Sequence, residues 1–479
     1  MSYRESLTLA LEHSLAHIEN LEHAPVGPTV DAETLRARLA RPLTDDGTPP
    51  EQVLAELVRD VSGGIMGSAG GRFFAWVIGG ALPAALAADW MAAAWDQNAG
   101  LYVSSPAAAM VEEVAGAWLK EILGLPATAS FAFVTGCQAA HVVCLAAARN
   151  ALLTRLDWDV EQRGLFGAPR IRILTSSERH GTVKRAVRLL GLGLDQMADL
   201  PADTGGRLQP DVLERALESD SAAPAIVILQ AGDLNIGAYD PFAELIPIAH
   251  RHGAWVHVDG AFGLWAAASP HYRHLVTGAG DADSWATDGH KWLNTPFDSG
   301  FAFVAHPEPH RASMSYSASY IARHGDARDP IDWNPEWSRR ARGFAAYAAM
   351  RQLGRHGIAG LVERCSDAAR RLVLGIGALD GAEVLWEPVI NQGLVRFLGA
   401  SPADHDRRTD EAIAAIQASG EAFFGGTTWR GQRAMRVSVC NWQTTDTDVE
   451  RSIAAVKRVL AGATGRRSPG PQSATIAIR

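Results

Sequence analysis

Lys291 is the residue whose chemistry is easiest to define from the sequence. It lies in the run DGHKWL, directly after a predicted strand over 284–287. Apolar and aromatic neighbours at a strand end desolvate an ammonium group, so we expect Lys291 to lose part of its charge. An uncharged amine is what a Schiff base with an aldehyde requires. The alternative is a solvated surface lysine, which is the commoner situation for a lysine considered alone.

Asp259 closes an apolar predicted strand, WVHVD, and the run GAFG follows it. A carboxylate in this position must meet a cation or several donors, because an unpaired buried charge is very unfavourable. A protonated pyridine nitrogen is a suitable partner. The alternative is a carboxylate that caps the turn after the strand.

An anion-binding turn is predicted at Gly136-Cys137-Gln138, where a strand is followed by a helix through Leu153. Consecutive backbone amides at a helix N-terminus can hold a phosphate without a basic side chain. The alternatives are a plain strand-to-helix turn and a nucleophilic Cys137, whose thiol pKa a helix start would lower. For the nucleophile, the sequence offers no identifiable base.

His180 lies in SSERHGT, shortly after a predicted strand over 171–175. Its flat ring could stack on a planar cofactor, and its nitrogens could reach a reacting carboxylate. His180 is one of 16 histidines, so by itself it is weak evidence for a functional site. The other three positions are what make it a candidate.

Strand-length apolar runs alternate with amphipathic stretches from about residue 90 to 305, which is typical of a doubly wound α/β fold with a mainly parallel sheet. The six runs are 130–135, 171–175, 225–229, 254–258, 284–287 and 300–304. Ligands of such sheets bind at the carboxyl ends of the strands. All four candidate positions follow one of these runs.

The rest of the chain divides around this region. We predict an N-terminal helical arm over 1–90, a large domain over 91–342, a small α+β domain over 343–462 and a disordered tail over 463–479. Within the large domain, the polar stretch 306–342 is long enough to be a mobile loop. Its run HPEPH resembles a metal motif, but we interpret it as loop because prolines oppose a helix.

Composition excludes several classes of protein. The net charge of −9 offers no basic field for nucleic acid or an anionic membrane. Four cysteines without a close pair indicate neither a disulfide scaffold nor a zinc site, and we expect a cytoplasmic protein without a bound metal. The N-terminus shows no secretory signal, and the apolar stretch 73–88 is too short and too interrupted to span a membrane.

Taken together, the four positions resemble the group II amino acid decarboxylases. These are pyridoxal 5'-phosphate (PLP) enzymes of the aspartate aminotransferase fold, fold type I. The resemblance runs from about residue 73 to 460 and is carried by FVTGCQAAHVVCLAAAR, SSERHGTVKRAVRLLGLG, HVDGAFG and ADSWATDGHKWLN, with QAGDLNIGAYDP and VSVCNWQTTDTDVERSI in support.

The resemblance implies a role for each position. Lys291 becomes the Schiff-base lysine, Asp259 the partner of the pyridine nitrogen and His180 the ring-stacking residue. The backbone around Cys137 and Gln138 becomes the phosphate seat. The cofactor-binding set that it implies is Gly136, Cys137, Gln138, His180, Asn235, Asp259, Ala261, Asp288, His290 and Lys291.

The resemblance also assigns a general acid. Relatives carry on a mobile loop a tyrosine that protonates the α-carbon after carbon dioxide leaves, and Tyr320 occupies the corresponding place, with Tyr316 as the alternative. Relatives that convert amino acids oxidatively to aldehydes typically replace this tyrosine. Its presence favours decarboxylation over that oxidative reaction, while carbon–carbon cleavage and transamination stay open as alternatives. The retention of Lys291, Asp259, His180 and Tyr320 argues against cofactor binding without catalysis.

Some positions depart from the common pattern: Gln138, Ala139, Leu234 and Asp288, the last where some relatives have Asn near the phosphate. These departures leave open how the phosphate seat is built and which amino acid is the substrate.

The segment RFFAW contributes to the substrate pocket in relatives, so Phe73, Phe74 and Trp76 favour an aromatic or other hydrophobic amino acid, unless they belong to the core. Arg72 could instead pair with an acidic side chain. A homodimer with active sites at the subunit interface is expected by resemblance.

Overall fold

The computed structural model describes residues 3–316 and 327–463. Its helices are α1 Tyr3–Asn20, α2 Ala32–Leu39, α3 Pro50–Val61, α4 Pro83–Trp95, α5 Pro106–Ile122, α6 Cys137–Thr154, α7 Val160–Arg163, α8 Gly181–Leu189, α9 Pro210–Glu218, α10 Phe242–Arg251, α11 Pro307–Met314, α12 Gly343–Gly377, α13 His405–Ala418 and α14 Asp446–Ala463. Its strands are β1 Ser130–Val134, β2 Arg172–Ser176, β3 Met197–Leu200, β4 Ala225–Gln230, β5 Trp255–Asp259, β6 Ser284–Asp288, β7 Gly300–Val304, β8 Ala382–Trp386, β9 Gln392–Phe397, β10 Gly425–Trp429 and β11 Gln432–Ser438.

Seven strands form the central sheet in the order β1-β7-β6-β5-β4-β2-β3. The strands from β6 to β3 in this order pair in parallel, whereas β7 runs antiparallel to both β6 and β1. This confirms the predicted α/β fold and all six predicted strands to within about two residues. The sequence missed β3, a short edge strand whose central residues are exposed and which therefore lacks an apolar pattern.

The central strands are apolar on consecutive residues because both faces of the sheet are covered. In β4, Ile226 and Ile228 pack into the core on one face of the sheet, and Val227 and Leu229 pack into the core on the other. Helix α6 covers the first face next to β6 and β7. Burial on both faces fixes the strand register, and the register fixes which residues stand at the carboxyl ends.

A second sheet of four antiparallel strands, in the order β10-β11-β9-β8, lies in the C-terminal part of the chain. Helices α12 and α13 pack against this sheet, and α14 packs against both helices. Helix α12 is broken at Gly354, whose φ of 61° lies in the left-handed region that favours glycine. This architecture fits the predicted small α+β domain. The boundaries at 342 and 462 remain predictions, and residues 464–479 of the predicted tail lie outside the described residues.

The N-terminal arm begins on the surface. Helix α1 has no buried residue and packs against α3. The chain then enters the interior, where Phe74 N donates to Phe423 O and Gly79 N donates to His290 O. Across residues 3–316 and 327–463, the helices lack the length and apolar character needed to cross a membrane.

The loop interpretation of HPEPH is wrong, because Pro307 begins α11. Both prolines fall in the first turn, whose N–H groups have no partner within a helix, so proline loses nothing there. The two histidines serve different neighbours: His306 contacts Asp283, whereas His310 contacts Ser130 and the Trp333 carbonyl. Of the stretch 306–342, residues 317–326 lie outside the described residues.

Candidate active site

The predicted site residues come together at the carboxyl ends of the central strands. Asp259 and Asp288 are the last residues of β5 and β6, which are neighbours in the sheet. Lys291 follows β6, and His180 caps the helix after β2. His180 and Lys291 are both close enough to Asp259 to lower its pKa. The sheet therefore delivers an amine, a carboxylate and an imidazole to one cleft.

Lys291 forms an ion pair with Asp288. Its Nζ lies 3.0 Å from Asp288 Oδ2, and its side chain is 19% exposed. Burial lowers the pKa of Lys291, but the Asp288 carboxylate outweighs burial, and the net pKa lies above that of an ordinary lysine. The expectation that desolvation removes part of the charge is therefore wrong. The sequence could not show that the carboxylate three residues earlier turns toward the amine.

Asp288 also occupies part of the predicted anion seat. Cys137 N, at the start of α6, donates to Asp288 Oδ1 over 2.6 Å. A carboxylate at a helix N-terminus is favoured because the unpaired amides and the helix dipole attract negative charge. The first amide of the predicted phosphate turn is thus already used, and a phosphate bound there must accept from the amides that follow.

Asp259 is buried and ionised. Its Oδ1 accepts from Ala261 N at 3.3 Å and lies 4.0 Å from Cys137 Sγ. Burial raises the pKa of Asp259, but His141, His180 and Lys291 outweigh burial, so the net pKa lies below its usual value. A carboxylate that stays charged in this position is suited to hold a proton on a basic ring nitrogen.

His180 is held by its own helix cap. Its Nδ1 accepts from Thr182 N at 3.2 Å and lies 2.7 Å from Thr182 Oγ1. Burial lowers the pKa of His180, so the ring is neutral at neutral pH. Because Nδ1 accepts, the proton of the neutral ring is on Nε2. His180 therefore offers one fixed N–H donor and a flat apolar face.

Cys137 is not a nucleophile of the kind that a helix start could create. Burial is the main reason that the pKa of its thiol lies well above the ordinary value, and the carboxylates of Asp288 and Asp259 raise it further. The expected lowering of the thiol pKa is therefore wrong. A neutral thiol in this position is a packing residue between the two carboxylates.

Three other residues of the predicted cofactor set contribute local contacts. His290 accepts from Ser299 N through Nδ1 at 3.3 Å, and its Nε2 lies 3.6 Å from Asp288 Oδ1. Gln138 Nε2 donates to the Thr182 carbonyl at 3.3 Å, which joins the start of α6 to the start of α8. Asn235 Oδ1 accepts from Thr427 Oγ1, so its amide contacts the small domain.

The loop tyrosine cannot be placed, since Tyr320 lies outside the described residues. Tyr316 is described: its side chain is exposed, and its ring lies against Trp337.

The predicted substrate residues differ in their exposure. Phe73 and Phe74 are buried against Phe423 and Phe424, which is the core alternative. Trp76 is 55% exposed.

The guanidinium of Arg72 is not available for an acidic substrate. Arg72 is 2% exposed, and its guanidinium donates to the carbonyls of Glu421, Leu21, Glu22 and Ala24.

The sequence analysis missed two residues near the cleft. His141 on α6 lies 3.6 Å from Asp259, and Arg436 on β11 lies close enough to His180 to lower its pKa. Burial lowers the pKa of Arg436 to about 10, and no carboxylate in the described parts of the chain lies within salt-bridge distance of it. The signal in both cases was a basic residue inside an apolar run, AAHVVCLAAA and MRVSV.

Comparison with known proteins decides what the cleft binds. Residues 33–398 match the family described as "Pyridoxal-dependent decarboxylase conserved domain". The chain belongs to the pyridoxal-dependent decarboxylase family. The decarboxylase is 29% identical to tryptophan decarboxylase 1 of Oryza sativa subsp. japonica, over 91% of this chain and 89% of that protein. It is 30% identical to an acidic amino acid decarboxylase of Homo sapiens, over 74% and 69%.

A third relative carries out a different reaction by name. The decarboxylase is 27% identical to 4-hydroxyphenylacetaldehyde synthase of Rhodiola rosea, over 87% of this chain and 86% of that protein. Among solved structures, it is similar to Oryza sativa TDC with PLP and tryptamine, with a TM-score of 0.90, 25% identity and coverage of 96% and 98%. These findings establish fold type I, PLP as the cofactor and amino acid decarboxylation as the reaction class.

The residues of the cleft fit PLP. Lys291 supplies an amine for its aldehyde, Asp259 an ionised carboxylate for its ring nitrogen, and the first turn of α6 amides for its phosphate. Gly79 lets the chain approach the lysine closely, because a Cβ at this position would lie 2.1 Å from the Lys291 carbonyl oxygen. The departure is Asp288, which puts a second negative charge beside the phosphate seat.

Replacing Asp288 with Asn is expected to make Lys291 more reactive in the cofactor-free decarboxylase. Asparagine can still accept from Cys137 N, but it cannot pair with the ammonium, so the pKa of Lys291 falls. Each unit of fall raises the free-amine fraction about tenfold at a fixed pH below that pKa. The measurement is competitive acylation followed by mass spectrometry, with the exposed Lys184 as internal control. An unchanged Lys291 rate from neutral to mildly alkaline pH would contradict the pairing.

Proposed function

We propose that the protein decarboxylates an L-amino acid with an aromatic or other hydrophobic side chain to the amine and carbon dioxide. The observation that carries the proposal is the meeting of Lys291, Asp259 and His180 in one cleft. Apolar rings support the substrate class: Phe262 lies 6.0 Å from Lys291 Nζ, and Phe297 packs on His290 with ring centroids 4.4 Å apart. Arg72, the cation offered for an acidic substrate, is fully engaged elsewhere.

The residues divide the work as follows. Bound PLP supplies an aldehyde for amines and a ring that accepts the electron pair left when carbon dioxide departs. Asp259 keeps the ring nitrogen protonated, so that the ring can accept that pair. His180 would stack on the ring and offer its Nε2–H to the reacting carboxylate. Lys291 would hold the cofactor through Nζ, which pairs with Asp288 in this structure.

Orientation selects the reaction. The bond that breaks must stand perpendicular to the cofactor ring, and groups that hold the substrate carboxylate in that direction favour decarboxylation over transamination. Among the described residues, the Nε2–H of His180 and the nearby buried cation Arg436 are donors that would suit this purpose. Tyr320 then donates the proton that replaces carbon dioxide on the α-carbon, as in the relatives that the sequence resembles.

The expected substrate can be tested with the holoenzyme and a panel of L-amino acids, with every product identified by mass. Aromatic amino acids are expected to give the amine and carbon dioxide, while glutamate and aspartate remain unchanged. Lys291→Ala is the control that should abolish turnover of every substrate. Turnover of acidic amino acids alone would overturn the substrate class and leave the reaction class intact.

An aldehyde synthase is the second candidate, because two relatives are aldehyde synthases by name. Tyr320 separates the two reactions. Tyr320→Phe is expected to lower amine formation about 100-fold or more, since it removes a positioned acid, and to raise aldehyde release with oxygen consumption. Tyr316→Phe is the matched control and should keep the amine as product. An equal loss of amine formation in both variants would contradict the assignment of Tyr320 as the general acid. Release of aldehyde by the unaltered enzyme would favour the synthase.

We also propose a homodimer, which fits the exposed apolar side chains of the arm. Leu7, Leu11 and Leu15 recur along α1 and are 60%, 42% and 45% exposed. Isolated apolar residues on a surface are normal, but a continuous stripe on a helix with no buried residue indicates a covered face.

Light scattering is expected to give twice the chain mass for the unaltered protein. The double variant Leu7→Glu/Leu11→Glu is expected to shift the mass toward a monomer, because it places charge in the interface. Phe166→Glu, at a 99% exposed position away from the arm, should remain dimeric. A dimeric double variant would show that the stripe is not the interface.

A further inference from the structure

A buried chain of hydrogen-bonded side chains lies behind Asp259. His141 Nδ1 lies 2.9 Å from His257 Nε2, and His257 Nδ1 lies 2.9 Å from Ser284 Oγ. Trp255 Nε1 donates to the same hydroxyl over 3.0 Å. All four side chains are at most 1% exposed. They join α6, β5 and β6, and the proposed reaction uses none of them.

Both histidines of this hydrogen-bonded network, His141 and His257, are neutral. Burial lowers the pKa of His257 to about 3, and it also lowers that of His141 below the ordinary value. A neutral imidazole carries one proton and therefore donates from one nitrogen and accepts at the other. Because the two rings are bonded to each other, fixing the proton of one ring fixes the proton of the other.

Asp259 determines which group donates and which accepts in each of these hydrogen bonds. If His141 carried its proton on Nδ1, the lone pair of Nε2 would face the Asp259 carboxylate 3.6 Å away. The opposite arrangement turns an N–H toward the carboxylate. It lets His257 donate to His141 and accept the hydroxyl proton of Ser284, which itself accepts from Trp255. Every bond then points from Trp255 toward Asp259.

The last link is not closed in this structure. At 3.6 Å, His141 Nε2 is beyond hydrogen-bond distance of Asp259 Oδ2, and it has no other partner among the residues that the structure describes. A buried N–H without an acceptor is unfavourable. The nearest acceptor is the carboxylate that the cofactor's ring nitrogen also requires, so a small displacement of Asp259 would satisfy His141.

We propose that His141 is a positioning residue, which donates from Nε2 to Asp259 and holds that carboxylate ionised and correctly oriented for the cofactor's ring nitrogen. The inference rests on the proposed role of Asp259. The other groups that face Asp259 are Cys137 from α6, His180 from the start of α8, Lys291 after β6 and His257 within β5. Of these, Lys291 and His180 are engaged in the reaction itself, and the Cys137 thiol is a weak donor 4.0 Å from Asp259 Oδ1. Ala261 N donates to that same oxygen, whereas His141 Nε2 lies beside the other carboxylate oxygen, Oδ2.

His141→Phe tests the inference through cofactor affinity rather than activity. PLP is titrated into the cofactor-free protein by absorbance over a range of pH. The variant is expected to bind PLP about tenfold more weakly at neutral pH, because the carboxylate loses a hydrogen bond that holds it toward the ring nitrogen. Loss of the donor also raises the pKa of Asp259, so the loss of affinity on acidification should begin at a higher pH than in the unaltered protein. His141→Gln, which keeps an N–H at the end of the side chain, should restore most of both properties.

His310→Phe is the matched control. His310 is also fully buried and neutral, but its partners are Ser130 and the Trp333 carbonyl, away from the cleft. A comparable fall in melting temperature with unchanged PLP affinity is expected. Unaltered affinity and acid dependence in folded His141→Phe would overturn the inference.

Two further measurements keep the test decisive. Asp259→Asn must itself weaken PLP binding; if it does not, the proposed role of Asp259 fails rather than that of His141. Should His141→Phe fail to fold, the ring-nitrogen chemical shifts of histidine-labelled unaltered protein report the tautomer directly. A proton on Nε2 of His141 supports the inference, and a proton on Nδ1 overturns it.

Discussion

An ion that is buried in a protein must be compensated, and the cleft between β5 and β6 contains three buried ions. Asp288 and Lys291 compensate each other. Among the described residues, the group within salt-bridge distance of Asp259 is His141, which is neutral, so the carboxylate depends on the Ala261 amide and on nearby imidazoles. The central sheet exists, in functional terms, to keep these charges at fixed separations: a slip of one residue in either strand would turn its terminal carboxylate to the opposite face.

The same constraint explains the tight construction around the charges. Main-chain groups replace water wherever the cleft is closed, so the backbone must approach closely. At Gly79 and Gly300, a side chain would collide with the Lys291 carbonyl and with the Gly136 backbone, respectively. Apolar rings such as Trp265 and Trp292 fill the remaining space. Exclusion of water strengthens every electrostatic interaction in the cleft.

The sequence predicts the fold well, because the apolar pattern of the buried strands, their length and the residues that bound them are local properties of the sequence. It also predicts where Lys291, Asp259 and His180 lie, since each follows a strand. It does not predict their electrostatics. The Asp288–Lys291 pair, the high thiol pKa of Cys137 and the contacts of Arg72 depend on side-chain directions and on partners that are distant in sequence. His141 on α6 was missed for the same reason, because its partner His257 lies on β5, 116 residues further along the sequence. The error at α11 differs: proline was treated as a helix breaker without regard to its position in the first turn.

The loop that carries Lys291 is hydrogen-bonded to both the N-terminal and the C-terminal parts of the chain. Gly80 N donates to Asn294 Oδ1 on one side, and Asn294 Nδ2 donates to the Cys440 carbonyl on the other. A growing polypeptide therefore cannot complete this loop until residue 440 has left the ribosome, although Lys291 itself emerges much earlier. Completion of the cofactor-binding cleft is thus a late event in biogenesis, and truncation before residue 440 would remove one of the two contacts of Asn294 although the reactive residues are all present.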